Sequence, residues 1–544
     1  VSINDGAESF TITLNNQNIT GYSVYIADDW NGSSNANIYW KPTTEYVYHH
    51  ETTWTGTNND NDWTEPTNWT DGVPTMTSNV IIPNTTSYYP TVAAAATVNS
   101  VTIGSGASLI ANSTFSGTVT YNRDLATTNW YLISSPVNGQ DIDAFISAED
   151  LASGSIGNNI GLSSYDNISG TWSYYQSGAT GYGNFELGSA KSIKLAAAGT
   201  ISFTGTMPVS DLGIPINYNT NGYNLIGNPY PSYIPVNTNA DGTNNILTIN
   251  SSKLSEMTIW LWNQATDTYE PINQAVQAKY ISPAQGFFVK TSGTNTFNFT
   301  ESMQSHQTDT FQRLNTNRPE ISLMLSNGVN TNATKIYYIG GATTQFDNGY
   351  DSTIFDGVSN NFSIYTHLVA NSNGEKLAIQ SLPNTNLETM VIPVGISAES
   401  EQEISISVNA INIPQGINIY LEDTNNNSFT LLDGSTAYTT TLDENLNGIG
   451  RYYIHTTSNT LNISQVGLTN VSMYVTNSNL TINGVHSGAA KVRLTDLLGK
   501  EVINTQFQGN GVNKVALPYL STGIYIVQLE TLKETINKKI IIRK

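Results

Sequence analysis

The sequence predicts an all-β protein built from several tandem modules. Its 544 residues are too many for a single core, since most domains hold about 100 to 200 residues. Short runs of β-branched and aromatic residues alternate with polar ones and stop at Asn, Gly, Asp or Pro, which is the pattern of half-buried strands. The best helical pattern covers residues 140–151, where Ala, Ile and Glu cluster. We therefore expect few helices, all of them short.

The first two predicted modules cover residues 1–50 and 51–120. A strand-like pattern starts directly at Val1, which indicates either a removed signal peptide or the tail of a longer chain. We expect the second, with residues 1–50 as the end of a truncated upstream β domain. Residues 51–120 combine short strands with glycine turns, which predicts either a β-solenoid-like module or a small sandwich. Its three clustered tryptophans are interpreted as core residues, with stacking on sugar rings as the alternative. They are Trp54, Trp63 and Trp69.

Residues 121–305 contain an internal duplication. Three sequence blocks recur in the same order at offsets of 93 to 97 residues. The matched pairs are 129–136 with 222–229, 165–172 with 262–269, and 201–204 with 297–300. The middle block of each copy reads as an aromatic strand, a polar turn and a second aromatic strand, which predicts a hairpin. Two strand-rich copies packed against each other would make one two-lobed β domain.

The aromatic residues of these hairpins are the candidate ligand-binding residues. Trp172, Tyr174, Trp260 and Trp262 are interleaved with polar residues, so one face of each strand could bind a glycan while the other packs. A cross-strand ladder inside the core explains the same alternation. Alternation alone leaves both interpretations open.

A linker and a further sandwich follow the duplicated domain. The polar stretch at residues 306–318 is predicted to be a linker. Residues 319–466 contain about eight strand-like runs at the spacing of an antiparallel β-sandwich.

Composition excludes several functional classes. A net charge of −21 disfavours nucleic-acid binding, because an acidic chain repels phosphate. The chain has no cysteine, which excludes disulfides, thiolate metal sites and cysteine nucleophiles. The six histidines are scattered, and no zinc, phosphate-loop or nucleophile-elbow motif is present. We therefore predict no enzyme and no cofactor, although carboxylates brought together from distant strands cannot be judged from sequence.

Three acidic loops were tested as calcium sites. The loop that starts at Asp423 lacks the turn glycine and the bidentate glutamate of an EF-hand, so it is interpreted as a hairpin turn. Residues 58–62 and 347–351 carry closely spaced oxygen ligands, for which either calcium binding or a solvated loop is possible.

The last 78 residues differ from the rest in charge. Residues 467–544 contain 9 Lys and Arg against 4 Asp and Glu, a net charge of +5, whereas the remaining chain carries −26. Such a break marks either a domain with its own partner or a small domain with a solvated basic face. The strand and turn pattern, with Asp first and Gly fourth at residues 496–499, predicts a small immunoglobulin-like β-sandwich that ends in a basic edge strand.

Three motifs in this tail carry a family resemblance. They are LTDLLGKEV at 494–502, LPYLSTGIYIVQL at 517–529 and KKIIIRK at 538–544. In order and spacing they resemble the type A C-terminal sorting domain of Bacteroidota type IX secretion substrates. The resemblance implies export across the outer membrane, with the type IX translocon and its export machinery as partners. The residues of this chain that match the signal are Asp496, Gly499, Lys500, Gly523, Tyr525, Lys538, Lys539, Arg543 and Lys544.

Together these observations predict a non-catalytic secreted or cell-surface protein, an adhesin or a stalk, sent out by its C-terminal domain. Its further partners would be cell-surface sugars or other surface proteins. A secreted glycan-binding protein and the non-catalytic tail of a larger secreted hydrolase are the alternatives.

Overall fold

The protein is all-β, as the sequence predicts. The computed structural model describes residues 50–307, 318–357, 360–385, 387–459, 461, 471–476, 479–485, 488–496, 498–509, 511–531 and 535–542. The predicted module at 1–50 lies outside these residues, apart from His50. Within them, no helix is both long enough and apolar enough to cross a membrane.

The first described module is a parallel β-solenoid. Its strands are β1 (His50–Thr53), β2 (Ser78–Ile82), β3 (Thr91–Val92), β4 (Ala96–Ile103), β5 (Ile110–Ala111) and β6 (Phe115–Leu125). β1, β2, β4 and β6 pair in parallel in one sheet, and β3 pairs in parallel with β5. Short parallel strands that follow one another in this way build a solenoid and not an antiparallel sandwich. Trp54, Trp63 and Trp69 are buried in its core, as expected, and Trp69 contacts the other two edge-to-face.

The predicted boundary between residues 120 and 121 is not a break in the fold. β6 crosses it as one continuous strand that pairs with β4 on one side and with β11 (Gly199–Gly205) on the other. The buried core is also continuous, from Val101 in the solenoid to Phe145 and Phe203 in the next module. The backbone hydrogen bonds of β6 therefore join the two predicted modules.

The duplicated domain contains two four-stranded antiparallel sheets with the same strand order. The first repeat holds β7 (Tyr131–Ser134), α1 (Ile142–Ala148), β8 (Asn159–Asp166), β9 (Thr171–Gln176), β10 (Ala190–Ile193) and β11. The second holds β12 (Leu212–Ile216), β13 (Tyr223–Gly227), β14 (Ile234–Pro235), α2 (Ile246–Ile249), β15 (Ile259–Asn263), β16 (Thr268–Ile272), β17 (Tyr280–Ile281), β18 (Gly286–Lys290) and β19 (Asn295–Phe299). The sheet orders are β7-β10-β8-β9 and β13-β18-β15-β16. The first two pairs of matched blocks therefore lie on equivalent strands of these sheets. The third pair lies on β11 and β19, which pair with β6 and β12, outside the two four-stranded sheets. α1 forms inside the predicted helical stretch.

Equivalent backbone hydrogen bonds join the two sheets. Ser134 N donates to Ala284 O at 3.2 Å, and Gly227 N donates to Gly188 O at 2.9 Å. Ser134 and Gly227 occupy equivalent positions in the two repeats. Ser134 is in register with the first residue of β10, and Gly227 is in register with the first residue of β18. A Cβ at Gly227 would lie 2.4 Å from that of Ser134. The close approach of the sheets therefore requires glycine at this position.

The predicted linker at 306–318 begins too early. His306 is held by the solenoid, with Nε2 2.9 Å from Thr91 Oγ1 and Nδ1 2.7 Å from Ser108 Oγ. Burial lowers the pKa of His306 to about 4, so the imidazole is neutral at pH 7. A polar composition indicated a linker here, but these side-chain bonds make His306 part of the packed structure. Residues 308–317 lie outside the described part of the chain.

The next module is a β-sandwich. Its strands are β20 (Glu320–Ser326), β21 (Thr331–Ile339), β22 (Ser352–Thr353), β23 (Ser363–Thr366), β24 (Leu377–Pro383), β25 (Val391–Ala398), β26 (Glu403–Ile411), β27 (Asn418–Asp423), β28 (Ser428–Leu431), β29 (Tyr438–Thr441) and β30 (Leu446–Thr457). All eight predicted runs form strands. Their pairing is antiparallel except between β21 and β24, which are parallel. Leu323, Ile406 and Ile454 lie in its single buried core.

The tail is a smaller sandwich of two sheets. Its strands are β31 (Ser472–Thr476), β32 (Asn479–Val485), β33 (Ala489–Asp496), β34 (Glu501–Gln508), β35 (Gly511–Ala516), β36 (Gly523–Thr531) and β37 (Thr535–Ile542). The sheet orders are β31-β32-β35 and β34-β33-β36-β37, so β37 is the edge strand that the sequence predicts. Leu480, Val492 and Val527 are buried between the sheets.

Candidate functional site

The turn between β33 and β34 is shaped by two of the predicted signal residues. Asp496 Oδ1 accepts hydrogen bonds from the backbone N–H groups of Leu498 and Lys500, both at 2.9 Å. Gly499 N donates to Asp496 O at 3.0 Å. Gly499 has a φ of 82°, a left-handed conformation that glycine adopts without strain. The predicted turn is present, and Asp496 and Gly499 hold its backbone in place.

Tyr525 also has a structural place in the tail. Its ring is buried, and its hydroxyl donates to Ser521 O at 3.0 Å across the turn that leads into β36. Gly523 is the first residue of β36 and pairs with Ile542 of β37. These contacts fix the loop that precedes β36 against the strand itself.

The basic signal residues are distributed over the surface. Lys500 and Lys539 are exposed, whereas Lys538 is half-buried and burial lowers its pKa. Arg543 and Lys544 lie outside the described residues. Among the predicted basic signal residues that the structure describes, Lys500 and Lys539 therefore present exposed ammonium groups, and they lie on different elements.

The register of the tail brings its turns to one end of a sheet. Asp496 pairs with Tyr525, and Gly523 pairs with Ile542, so residues 496, 498–500, 519–525 and 540–542 share one end of this sheet, which we call the sorting edge. Two large apolar side chains there are almost fully exposed, Leu498 at 95% and Tyr519 at 90%. Neither was among the predicted signal residues, although each stands in one of the three motifs of the tail. An exposed apolar side chain beside a tight turn was the signal that could have found them.

One of the four glycan-binding candidates is wrong. Trp260 is 0% exposed, and its Nε1 donates to Thr353 O at 3.2 Å. Tyr223 and Phe355 contact its ring at centroid distances of 5.2 and 6.2 Å. An indole enclosed in this way cannot stack on a sugar, so Trp260 belongs to the core ladder that alternation equally predicted.

Trp172 and Tyr174 lie on β9 of the first repeat. Trp172 is partly buried against Tyr165, 5.5 Å away, and Phe288, 6.2 Å away. Tyr174 is 41% exposed and lies 6.0 Å from the ring of Trp130. Tyr174 is thus the more accessible of the two candidates on this strand.

Trp262 lies on β15 of the second repeat and remains partly exposed. Its Nε1 donates to Trp130 O at 2.8 Å. Tyr269, its cross-strand partner on β16, packs at a centroid distance of 4.8 Å. The indole therefore has a fixed orientation and an accessible surface.

A phenylalanine from the sandwich joins these aromatic residues. Phe355 follows β22 and inserts between Tyr223, Tyr269 and Phe288 at centroid distances of 4.6, 4.0 and 4.7 Å. It is 8% exposed. We call this contact the Phe355 junction. It fixes the sandwich to the second repeat by aromatic packing, which is both apolar and directional.

Beside the Phe355 junction lies a cleft of about 530 Å³, which we call the interdomain cleft. One wall is the β15–β16 hairpin, and the floor is the outer face of β20, β21 and β24. Its lining includes Trp262, Asn263, Asp267, Tyr269, Glu270, Met324, Ala333, Lys335 and Asn360. Its volume lies in the range of about 300 to 1,000 Å³ that is usual for ligand sites.

Two carboxyl groups with raised pKa values lie outside this cleft. Burial raises the pKa of Asp351 to about 7, although its oxygens accept from the backbone N–H groups of Ser381 and Asp347. Burial also raises the pKa of Glu256, whose oxygens accept from Thr353 N at 2.6 Å and Thr353 Oγ1 at 2.8 Å. Asp351 thus holds backbone within the sandwich, whereas Glu256 holds Thr353 across the junction of the second repeat and the sandwich.

The acidic loops use their oxygens internally. Asp60 accepts from Asn68 Nδ2, Asp62 N and Asn58 Nδ2, and these bonds lower its pKa. Asp423 lies in the predicted hairpin turn and pairs with Arg451 at 3.0 Å. In the part of the chain that the structure covers, no three His, Asp or Glu side chains converge on a possible metal position.

Comparison with protein families accounts for most of the chain. Residues 110–454 match the family described as a domain of unknown function (DUF8693). The chain belongs to this family. The DUF8693 match starts in the solenoid and ends in β30, so it contains both repeats, the Phe355 junction and every wall of the interdomain cleft.

A second family matches the tail. Residues 476–543 match the secretion system C-terminal sorting domain, which indicates a type IX secretion substrate. This domain implies export out of the cell and contact with the type IX machinery, and it contains the whole sorting edge. No curated protein matches the chain. Export therefore belongs to the tail, whereas the interdomain cleft belongs to the DUF8693 region.

Proposed function

We propose that this protein is a non-catalytic adhesin or stalk that acts at the cell surface after type IX export. In this role the sorting domain directs the chain outward, and the DUF8693 region spaces and presents a binding surface. Tandem β modules suit such a role because their backbone groups are satisfied within the sheets and a polar, Asn- and Thr-rich surface stays soluble.

The observation that carries the proposal is that successive modules are joined by buried contacts. His306, beyond the second repeat, bonds with Thr91 and Ser108 of the solenoid. Phe355 of the sandwich is enclosed by the second repeat. Such contacts restrict movement between the modules, which suits a spacer under mechanical load.

The placement of the carboxyl groups supports a non-catalytic role. A catalytic acid or base with a raised pKa has to face its substrate. The raised carboxyls of Asp351 and Glu256 instead accept backbone N–H groups and do not line the interdomain cleft. Glu270, which does line it, lies 3.5 Å from Lys335.

The test uses the native host. Deletion of residues 467–544 should leave the protein in the periplasm, and deletion of the whole gene should reduce attachment of cells to a surface. Attachment is counted under flow, with the complemented strain as control. Normal attachment without the gene would contradict the adhesin role, and surface delivery without the tail would contradict the export route.

A specific observation favours glycan binding as a second candidate function. Trp262 is accessible at the interdomain cleft, whereas Trp260 is enclosed. Retention on polysaccharide that is lost in Trp262→Ala but kept in Tyr174→Ala would support it.

A further inference from the structure

We propose that the interdomain cleft binds a neutral carbohydrate chain, with Trp262 as the stacking platform. This inference rests on the proposed adhesin function and names the ligand class of that function. It differs from the site that alternation suggested, because half of the cleft comes from the sandwich and not from the duplicated domain.

The wall of the cleft supplies an aromatic surface in a fixed orientation. Trp262 is held along its Nε1 edge by Trp130 O and flanked by Tyr269. Tyr269 in turn contacts Phe355 at 4.0 Å. A platform that is ordered before binding loses little side-chain entropy when a ligand arrives. The apolar C–H face of a pyranose is a natural partner for such a ring.

The middle of the cleft floor is apolar. Leu323 and Leu325 on β20 are fully buried, so Met324 between them points to the outer face, where it is 36% exposed. Ala333 on β21 is in register with Met324 and is also exposed. Small and apolar side chains on this face leave room for a ring to lie against the sheet.

Polar groups around the floor match hydroxyl groups. Asn263 Oδ1 and Asn360 Oδ1 each accept from a backbone N–H at 3.0 Å. These bonds orient the two amides, and the NH₂ of each is the group that can donate to a ligand hydroxyl. Asp267, exposed at the hairpin turn, supplies an acceptor.

The charges of the cleft favour a neutral ligand. Lys335 Nζ lies 3.5 Å from Glu270 Oε1, so the positive charge at the floor is compensated. Asp267 adds a negative charge, and the chain carries −21 overall. A polyanionic chain would be repelled on approach.

The edge strand of the cleft disfavours an extended peptide. β16 pairs with β15 on one side only, and its other side borders the cleft. A peptide adds to such an edge through a ladder of backbone hydrogen bonds. Pro271 interrupts that ladder, because proline has no N–H to donate.

The experiment measures migration of the full chain through gels that contain xylan, mannan or a β-glucan, with alginate as the acidic comparison. Ala333→Trp fills the cleft from an exposed position without removing a native contact. Ala410→Trp makes the same change at an exposed strand position of the same sheet outside the cleft. Thr331→Trp, also exposed and lining the cleft, serves if Ala333→Trp does not fold.

We expect retardation by at least one neutral polysaccharide, weakened at least tenfold in Ala333→Trp and unchanged in Ala410→Trp. Absence of retardation by every neutral polysaccharide, equal retardation of both variants, or retardation by alginate alone would overturn the inference. So would a peptide array that the wild type binds and Ala333→Trp does not, without polysaccharide binding.

The two proposals fail separately. If the gene deletion abolishes attachment while Ala333→Trp attaches normally, the adhesin role stands and the cleft is not its site. If purified protein binds polysaccharide at the cleft while the deletion strain attaches normally, the cleft stands and the adhesin role falls.

Discussion

Replacing Phe355 with alanine should loosen the junction between the second repeat and the sandwich. The ring is 8% exposed and touches four other aromatic rings, those of Tyr223, Trp260, Tyr269 and Phe288. Truncation of a buried phenylalanine to alanine typically lowers the free energy of unfolding by about 3 to 5 kcal/mol. Because the junction borders an open cleft, its neighbours can relax, and we take the lower figure of about 3 kcal/mol. At about 1.4 kcal/mol per factor of ten, the docking equilibrium would shift roughly a hundredfold.

The assay is hydrogen–deuterium exchange of β22 in the full chain. Thr353 N donates to Glu256 and is protected only while the junction is closed. Phe355→Ala should therefore speed its exchange by about two orders of magnitude, with no change in the solenoid. Phe429→Ala is the matched control. Phe429 lies in the β27–β28 hairpin, outside the cleft, and packs on His455 of β30. Equal exchange of Thr353 in both variants would refute the junction as the element that fixes the cleft.

Three further predictions concern pH and the turn of the sorting edge. The pKa of Asp351 is raised to about 7 in the fold, above its usual value near 4, so stability should fall as pH rises from about 4 to 7. Asp351→Asn should flatten that slope in urea unfolding. The pKa of His306 is lowered to about 4, below about 6.5 in the unfolded chain, so its contribution should be lost as pH falls from about 6.5 to 4. His306→Gln should remove this opposite slope. Gly499→Ala places a side chain at φ 82° and should destabilise the tail by about 1 to 2 kcal/mol, with Gly499→Asn milder in thermal unfolding.

The order of the strands in the two repeats could be predicted from the sequence. Each copy repeats the same aromatic strands and polar turns, and these local patterns directly specify hairpins. The blocks at offsets of 93 and 97 residues therefore lie on equivalent strands in two sheets of the same order. The eight runs of the sandwich were recognisable for the same reason, because period-2 alternation reports burial of one face.

The sequence did not reveal which face of a strand is covered. Trp260 and Trp262 are two positions apart on β15 and face the same side of the sheet. Trp260 is nevertheless enclosed, whereas Trp262 is accessible. The difference comes from Phe355, almost a hundred residues away, which packs on Trp260. A covering group that arrives from another module leaves no mark on local periodicity. The same limit explains His306, whose partners Thr91 and Ser108 are more than 190 residues away.

The duplication gave two similar aromatic hairpins, but the sandwich docks on them unequally. Tyr165 and Trp172 of the first repeat correspond to Trp262 and Tyr269 of the second, and both hairpins send a ring onto Phe288. Phe355 contacts Tyr269, on the second hairpin. Docking there creates the interdomain cleft, because it sets a sheet floor against one hairpin wall.

The proposed binding site and the export signal lie in different parts of the chain. Both walls of the cleft lie inside residues 110–454, whereas the sorting edge lies inside residues 476–543. The sandwich and the tail domain touch where the ring of His367 lies 5.9 Å from that of Tyr474, and none of the described residues that line the cleft belongs to the tail. A chain without residues 467–544 should therefore lose its destination and keep its ligand. Purified protein lacking the tail should bind neutral polysaccharide as the full chain does, and weaker binding would mean that the tail helps to hold the sandwich against the second repeat.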